Sequence, residues 1–144
     1  MIRHTGIVVD DIDQSINFYS KNFNLVVTKD MLEEGSYIST MLGVPGAKVR
    51  TVKLADSKGG LLELLKFYDL PQVFEESFWK LTDFGCSHAA FTVPDAEELF
   101  IQLQNSGCIN VSLPLEPPGG KVKVFFTRTP KALGGVFLEI VEEL

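Results

Sequence analysis

Side chains from His4 to Val9 read as a strand, with Thr5, Ile7 and Val9 on one face and His4, Gly6 and Val8 on the other. From Asp11 to Phe23 the period lengthens. Ile12, Ile16, Tyr19 and Phe23 fall at three- and four-residue steps, predicting a helix whose free N-H groups are capped by Asp10 or Asp11. Leu25 to Thr28 reads as a short second strand. Residues 31–47, punctuated by Glu33-Glu34-Gly35 and Gly43-Val44-Pro45-Gly46, read as mostly loop with room for a short strand. Lys48 to Ala55 and Gly60 to Phe67 form a hairpin across Asp56-Ser57-Lys58-Gly59, whose residue types suit a turn.

The same order returns later in the chain. A strand opens at His88 and a helix runs from Pro94 to Asn105, with Ala96, Leu99, Phe100 and Leu103 as its buried stripe and Gly107 as its stop. Cys108 to Leu113 gives a short strand, Pro114 to Gly120 a loop, and Lys121 to Arg128 with Val136 to Val141 a last pair of strands. In both halves an Asp follows the histidine by seven residues, and a Gly-Gly pair precedes a glutamate within the final strand. A period of roughly 80 residues exceeds that of solenoid repeats. A duplicated strand, helix and three strands describes it better, in one domain with an N-terminal module at 1–67, a connecting segment at 68–85 and a C-terminal module at 86–144. The connecting segment carries Phe74, Phe78 and Trp79, too apolar for a free linker.

Composition narrows the class. A chain of 144 residues suits one compact domain. A net charge of −6 with no Lys/Arg cluster argues against nucleic acid as a partner. The apolar runs are far shorter than the roughly 18 residues of a membrane span. Met1-Ile2-Arg3-His4 leads straight into a strand, so no signal peptide is expected. Cys86 and Cys108 have no metal-type spacing and read as free thiols of a reducing compartment, and the expected location is cytoplasmic.

The chemistry lies in four residues at matching places, His4, Glu63, His88 and Glu139. If the halves are copies, a pseudo-twofold axis brings equivalent positions together, so that the two histidines face each other and the two glutamates do the same. Glu63 shares its strand face with Leu61 and Leu65, and Glu139 lies between Phe137 and Val141. An unpaired charge in such a row costs several kcal/mol or must stay protonated. Two imidazoles and two carboxylates around one divalent ion, Zn, Ni, Co, Mn or Fe(II), satisfy all four and leave a position open for water or substrate. Arg50, Arg128 and Lys131 are candidates for binding an anionic part of the substrate, although exposed cations on strands are commonly only solvated.

At these residues the sequence resembles the vicinal oxygen chelate superfamily, which includes glyoxalase I, methylmalonyl-CoA epimerase, extradiol dioxygenases and the fosfomycin- and bleomycin-resistance proteins. The likeness rests on His4-Thr5-Gly6-Ile7-Val8-Val9-Asp10-Asp11-Ile12 with Phe18-Tyr19, on Gly60-Leu61-Leu62-Glu63, on His88-Ala89-Ala90-Phe91-Thr92-Val93-Pro94-Asp95, and on Gly134-Gly135-Val136-Phe137-Leu138-Glu139. It implies an α+β fold of two tandem βαβββ modules forming a cupped mixed β-sheet around a metal. The order His, Glu, His, Glu is similar to bacterial glyoxalase I and some epimerases, whereas fosfomycin-resistance proteins and extradiol dioxygenases usually have a histidine where Glu63 stands. Thr129-Pro130-Lys131 with Gly134-Gly135-Val136 looks like the His-Pro-Lys and Gly-Gly-Val run of the epimerases, with Thr129 in place of the histidine.

The implied chemistry is that of a glyoxalase I-like lyase or isomerase acting on a small substrate with vicinal oxygens through a metal-stabilised enediolate, with Glu139 or Glu63 as the base. An epimerase-like enzyme, an Fe(II) extradiol-type dioxygenase and a non-catalytic resistance-type binder remain alternatives. Relatives that pair modules across a dimer imply a homodimer.

Overall fold

The computed structural model describes residues 2–71, 80–86 and 88–144. The chain divides into two compact units, Met1–Phe74 and Glu75–Leu144.

In the first unit, β1 (Thr5–Val8) is followed by α1 (Ile12–Phe23), β2 (Val26–Glu34), α2 (Ser36–Leu42), β3 (Lys48–Ala55) and β4 (Leu61–Tyr68). The four strands make one mixed sheet in the order β1-β4-β3-β2, with β1 parallel to β4 and the other neighbours antiparallel. Alternation along β3 and β4 sends Val52, Leu54, Leu62 and Leu64 to one face, where they are buried with Ile7, Ile12, Phe18 and Tyr19. The Asp11 carboxylate accepts a 2.9 Å hydrogen bond from Gln14 N at the start of α1, and Asn24 ends the helix in the left-handed region at φ 54°. At the β3–β4 turn Asp56 Oδ1 accepts from Lys58 N at 2.7 Å and from Gly60 N at 2.8 Å. A Cβ on Gly60 would lie 2.5 Å from Asp56 Oδ2, so any larger residue would have to push that carboxylate aside.

The 31–47 segment differs from its reading as loop. β2 continues to Glu34, and Gly35, at φ 102°, turns the chain into a two-turn helix whose one buried residue is Ile38. That side chain packs with Ala47 and Val49, and Leu42, Val44, Leu65 and Phe67 close around the cluster. The helix was not legible because seven residues with a single buried position carry almost no periodic signal, and packing on the sheet stabilises it.

The second unit repeats the plan with β5 (His88–Val93), α3 (Ala96–Asn105), β6 (Ile109–Asn110), β7 (Val122–Arg128) and β8 (Phe137–Glu143), and a 3-10 turn at Lys131–Leu133. Its mixed sheet has the order β5-β8-β7-β6, with β5 parallel to β8. Phe125, Leu138 and Ile140 are buried with Leu99 and Leu103 of α3. Asp95 caps α3 by accepting from Glu98 N at 2.8 Å, the counterpart of Asp11 in the first unit. The expected strand from Cys108 to Leu113 is reduced to Ile109–Asn110, with Val111 N still bonded to Phe126 O at 2.8 Å. Phe74, Phe78 and Trp79 lie outside the described residues.

Candidate metal centre

Each sheet has a face turned away from its helix core, and the candidate ligands stand on those faces. In the first unit Glu63 is paired with Gly6 on the β1 side and with Lys53 on the β3 side. His4, two residues before Gly6, therefore stands on the same face, and a residue without a side chain leaves room beside the carboxylate. His4 Nε2 lies 3.5 Å from Glu63 Oε1, with the two side chains 31% and 14% exposed. His4 Nδ1 is buried without a hydrogen-bond partner among the described residues. The second carboxylate oxygen, Glu63 Oε2, lies 3.2 Å from Lys53 Nζ.

In the second unit Glu139 is paired with Ala90 of β5 and Phe126 of β7. His88 Nε2 lies 3.2 Å from Glu139 Oε2. The His88 ring meets the Phe126 ring edge-on at 5.1 Å between centroids. A small residue again borders the glutamate on the parallel side, but the antiparallel side carries an aromatic ring where the first unit has an ammonium.

The donor set suits a divalent ion. Two ligand atoms each about 2.1 Å from an ion, at ordinary coordination angles, stand roughly 3.0 to 3.4 Å apart. The His88–Glu139 separation of 3.2 Å falls within that range and the His4–Glu63 separation of 3.5 Å just beyond it, and both histidines present Nε2 to the carboxylate. Each unit alone supplies two donors, and among the described residues no group of three or more His, Cys, Asp and Glu side chains forms a metal cluster.

Of the other sequence candidates, Arg128 shares the ligand face of the second sheet, being register partner of Phe137, which pairs in turn with His88. Arg50 stands on the opposite face of the first sheet, since it is three residues from Lys53 along β3. Its Nε and Nη2 donate to Asp30 at 2.9 and 2.8 Å, and Nη1 donates to Asp13 of α1 at 2.8 Å. Those hydrogen bonds hold the guanidinium pKa above its ordinary value and the Asp30 pKa below its own. Arg50 is thus a clamp between helix and sheet. Arg128 Nε donates to Gly135 O at 3.0 Å, and its guanidinium lies over the Phe137 ring at 5.3 Å. Lys131 is exposed in the 3-10 turn. Thr129 is buried and closes the Gly-Gly turn, with Oγ1 accepting from Val136 N at 3.0 Å.

Lys53 was missed by sequence reasoning. Its signal was available, because a hairpin joining Ala55 to Leu61 places Lys53 directly across from Glu63. The thiols were read as free, and both are: Cys86 is exposed, and burial pushes the Cys108 thiol up to about 11, against a smaller lowering by a hydrogen bond with Thr127. Among the described residues no helix is long and apolar enough to cross a membrane.

Comparison with known proteins agrees with the topology. A glyoxalase family protein from Bacillus cereus is 21% identical, with a TM-score of 0.87 over 99% of this chain and 93% of its own. The trypanothione-dependent glyoxalase I of Leishmania major is 22% identical, with a TM-score of 0.66 over 99% of this chain and 86% of its own. TioX from Micromonospora sp. ML1 is 17% identical, with a TM-score of 0.59 over 98% of both chains. No curated protein matches the sequence. The family model of the glyoxalase/bleomycin resistance protein/dioxygenase superfamily matches residues 1–140, nearly the whole chain, and the protein belongs to that superfamily.

Proposed function

We propose that the protein is a glyoxalase I-like metalloenzyme, a lyase or isomerase, in which His4, Glu63, His88 and Glu139 hold one divalent ion, Zn, Ni, Co, Mn or Fe(II). The ligands come from one chain or from two chains of a homodimer. The observation that carries the reading is the repeated His–Glu pair, at 3.5 and 3.2 Å, on equivalent strands of two units. Such an ion would supply Lewis-acid stabilisation of the negative charge that develops on two adjacent substrate oxygens.

The surroundings of the two glutamates suggest a division of roles. Lys53 holds the outer oxygen of Glu63 and favours its staying in place as a ligand. Glu139 has the Phe126 ring at the corresponding position. Its carboxylate is the better candidate to swing, take the C–H proton next to a substrate carbonyl and return it to the neighbouring carbon. Gly6 and Ala90, small beside each carboxylate, leave space for a substrate.

Elemental analysis of the purified protein tests the metal. We expect one divalent ion per site, lost in Glu63→Ala, and turnover of at least one member of a panel of hemithioacetals, 2-methyl-branched acyl-CoAs and catechols. An unchanged metal content in both Glu63→Ala and Glu139→Ala would overturn the reading. The homodimer is tested by light scattering at micromolar concentration, where a monomer refutes it.

A non-catalytic binder is the second reading, favoured by one observation. Lys53 gives Glu63 an ionic partner without any metal. Thermal stabilisation by small ligands, with none from divalent ions, would select it.

A further inference from the structure

Lys53 has another like-charged neighbour besides its anionic one. Across the β2–β3 ladder its register partner is Lys29, just beyond the irregularity between Val27 and Lys29. Register partners in an antiparallel pair share a face, so Lys29, Lys53 and Glu63 form one row across β2, β3 and β4. Two ammonium groups directly opposite each other destabilise a sheet. Glu63 offsets only one of them, being 3.2 Å from Lys53 Nζ, while the exposed Lys29 side chain has no hydrogen bond or ion pair among the described residues. Lys53 is itself mostly covered, with a side chain 24% exposed. The next carboxylate on this face, Glu33, is register partner of Val49, and its Oε2 is 3.4 Å from Thr51 Oγ1. It bounds the lysine pair on one side and does not neutralise it.

We propose that Lys53, with Lys29 beside it, binds a carboxylate that the substrate carries next to its pair of vicinal oxygens. An ammonium has three N–H donors, so Lys53 can keep Glu63 Oε2 and still donate to an incoming carboxylate. The substrate class is then a compound with adjacent hydroxyl and carbonyl oxygens and a further carboxylate one or two carbons away. The assignment refines the proposed metal site and rests on it, since Glu63 must be a ligand for the carboxylate to lie beside the chelated oxygens.

Malate and lactate provide the test, because both offer a 2-hydroxy carboxylate and only malate has a second carboxylate. Calorimetric titration of the divalent-metal-loaded full chain is expected to give malate roughly tenfold tighter binding than lactate, the scale of one charge-assisted hydrogen bond. Lys53→Met, titrated at saturating divalent ion with its loading checked by elemental analysis, should bring the malate-to-lactate affinity ratio close to one. Lys53→Arg should keep the preference, and Lys29→Met should reduce it in part. Equal binding of malate and lactate to the loaded wild type, or a preference that survives in Lys53→Met, overturns the inference and leaves the metal site standing. A chain that takes up no divalent ion overturns the metal site and this inference with it. Tighter binding of 3-phosphoglycerate than of malate overturns the carboxylate in favour of a phosphate.

Discussion

The two halves of the chain are built alike wherever the backbone is concerned and differ where a substrate would be handled. Asp11 and Asp95 cap equivalent helices, and a cation on the third strand of each unit reaches the first turn of its helix, Arg50 to Asp13 at 2.8 Å and Lys123 to Glu97 at 3.0 Å. Beside the candidate ligands the likeness stops. Glu63 faces Lys53 and Glu139 faces Phe126, so one carboxylate is tethered by charge and the other borders an aromatic ring. Duplication preserves what each sheet needs in order to fold. The residues flanking the glutamates are under no such requirement, and they are where the two copies differ.

The sharpest way to break the comparison is to remove each acid in turn. Glu139→Gln should lower turnover by about 10² to 10⁴-fold with metal retained, the usual loss for a general base. Glu63→Gln should lose metal first. The reverse pattern, read from metal analysis beside steady-state rates, would exchange the two roles.

Exchanging the flanking residues is a milder intervention. Phe126→Lys gives Glu139 the tether that Glu63 has, and we expect about a tenfold fall in kcat at unchanged metal stoichiometry, by analogy with the effect of altered partners around ligands. An unaltered kcat would mean that the tether has no bearing on the base.

The helix clamps are predicted to differ as well. Arg50 holds two carboxylates through three hydrogen bonds, whereas the structure gives Lys123 one bond to exposed Glu97. Arg50→Met should therefore cost about 1 kcal/mol in denaturant unfolding, and Lys123→Met distinctly less. The Asp30 part of the clamp is pH-dependent. A carboxyl whose folded pKa lies below its unfolded value adds stability above the unfolded value, near 4, and that stability is lost as pH falls through the folded pKa. Asp30→Asn should flatten that acid limb of the Tm profile without changing the plateau slope near neutrality.

The smallest effect is a labelling difference. A disulfide reagent at pH 8 should modify exposed Cys86 quickly and Cys108 only on unfolding, because burial keeps the Cys108 thiol protonated there. Equal rates would mean that the second unit opens far more readily than its packing suggests.

The sequence by itself determined the periodic elements and their duplication. The turn residues 56–59 delimited β3 to the residue, Lys48–Ala55, and the spacing from histidine to helix cap held in both units. It also singled out His4, Glu63, His88 and Glu139, because the four stand at matching places in the two copies and each glutamate interrupts an apolar row of its strand. What depends on pairing between strands was decided only by the tertiary structure. α2 exists because Ile38 packs on Ala47 and Val49, a contact no local pattern announces. Arg50, one of three candidates for an anionic part of the substrate, is held by Asp13 and Asp30, which come from a helix and an edge strand far away in the chain. Lys53 acquired its place beside Glu63 from the register of a hairpin, and a shift of one residue would have turned it to the other face. Side-chain identity is local information, whereas the neighbours that give it a role are set by register and packing across the sheet.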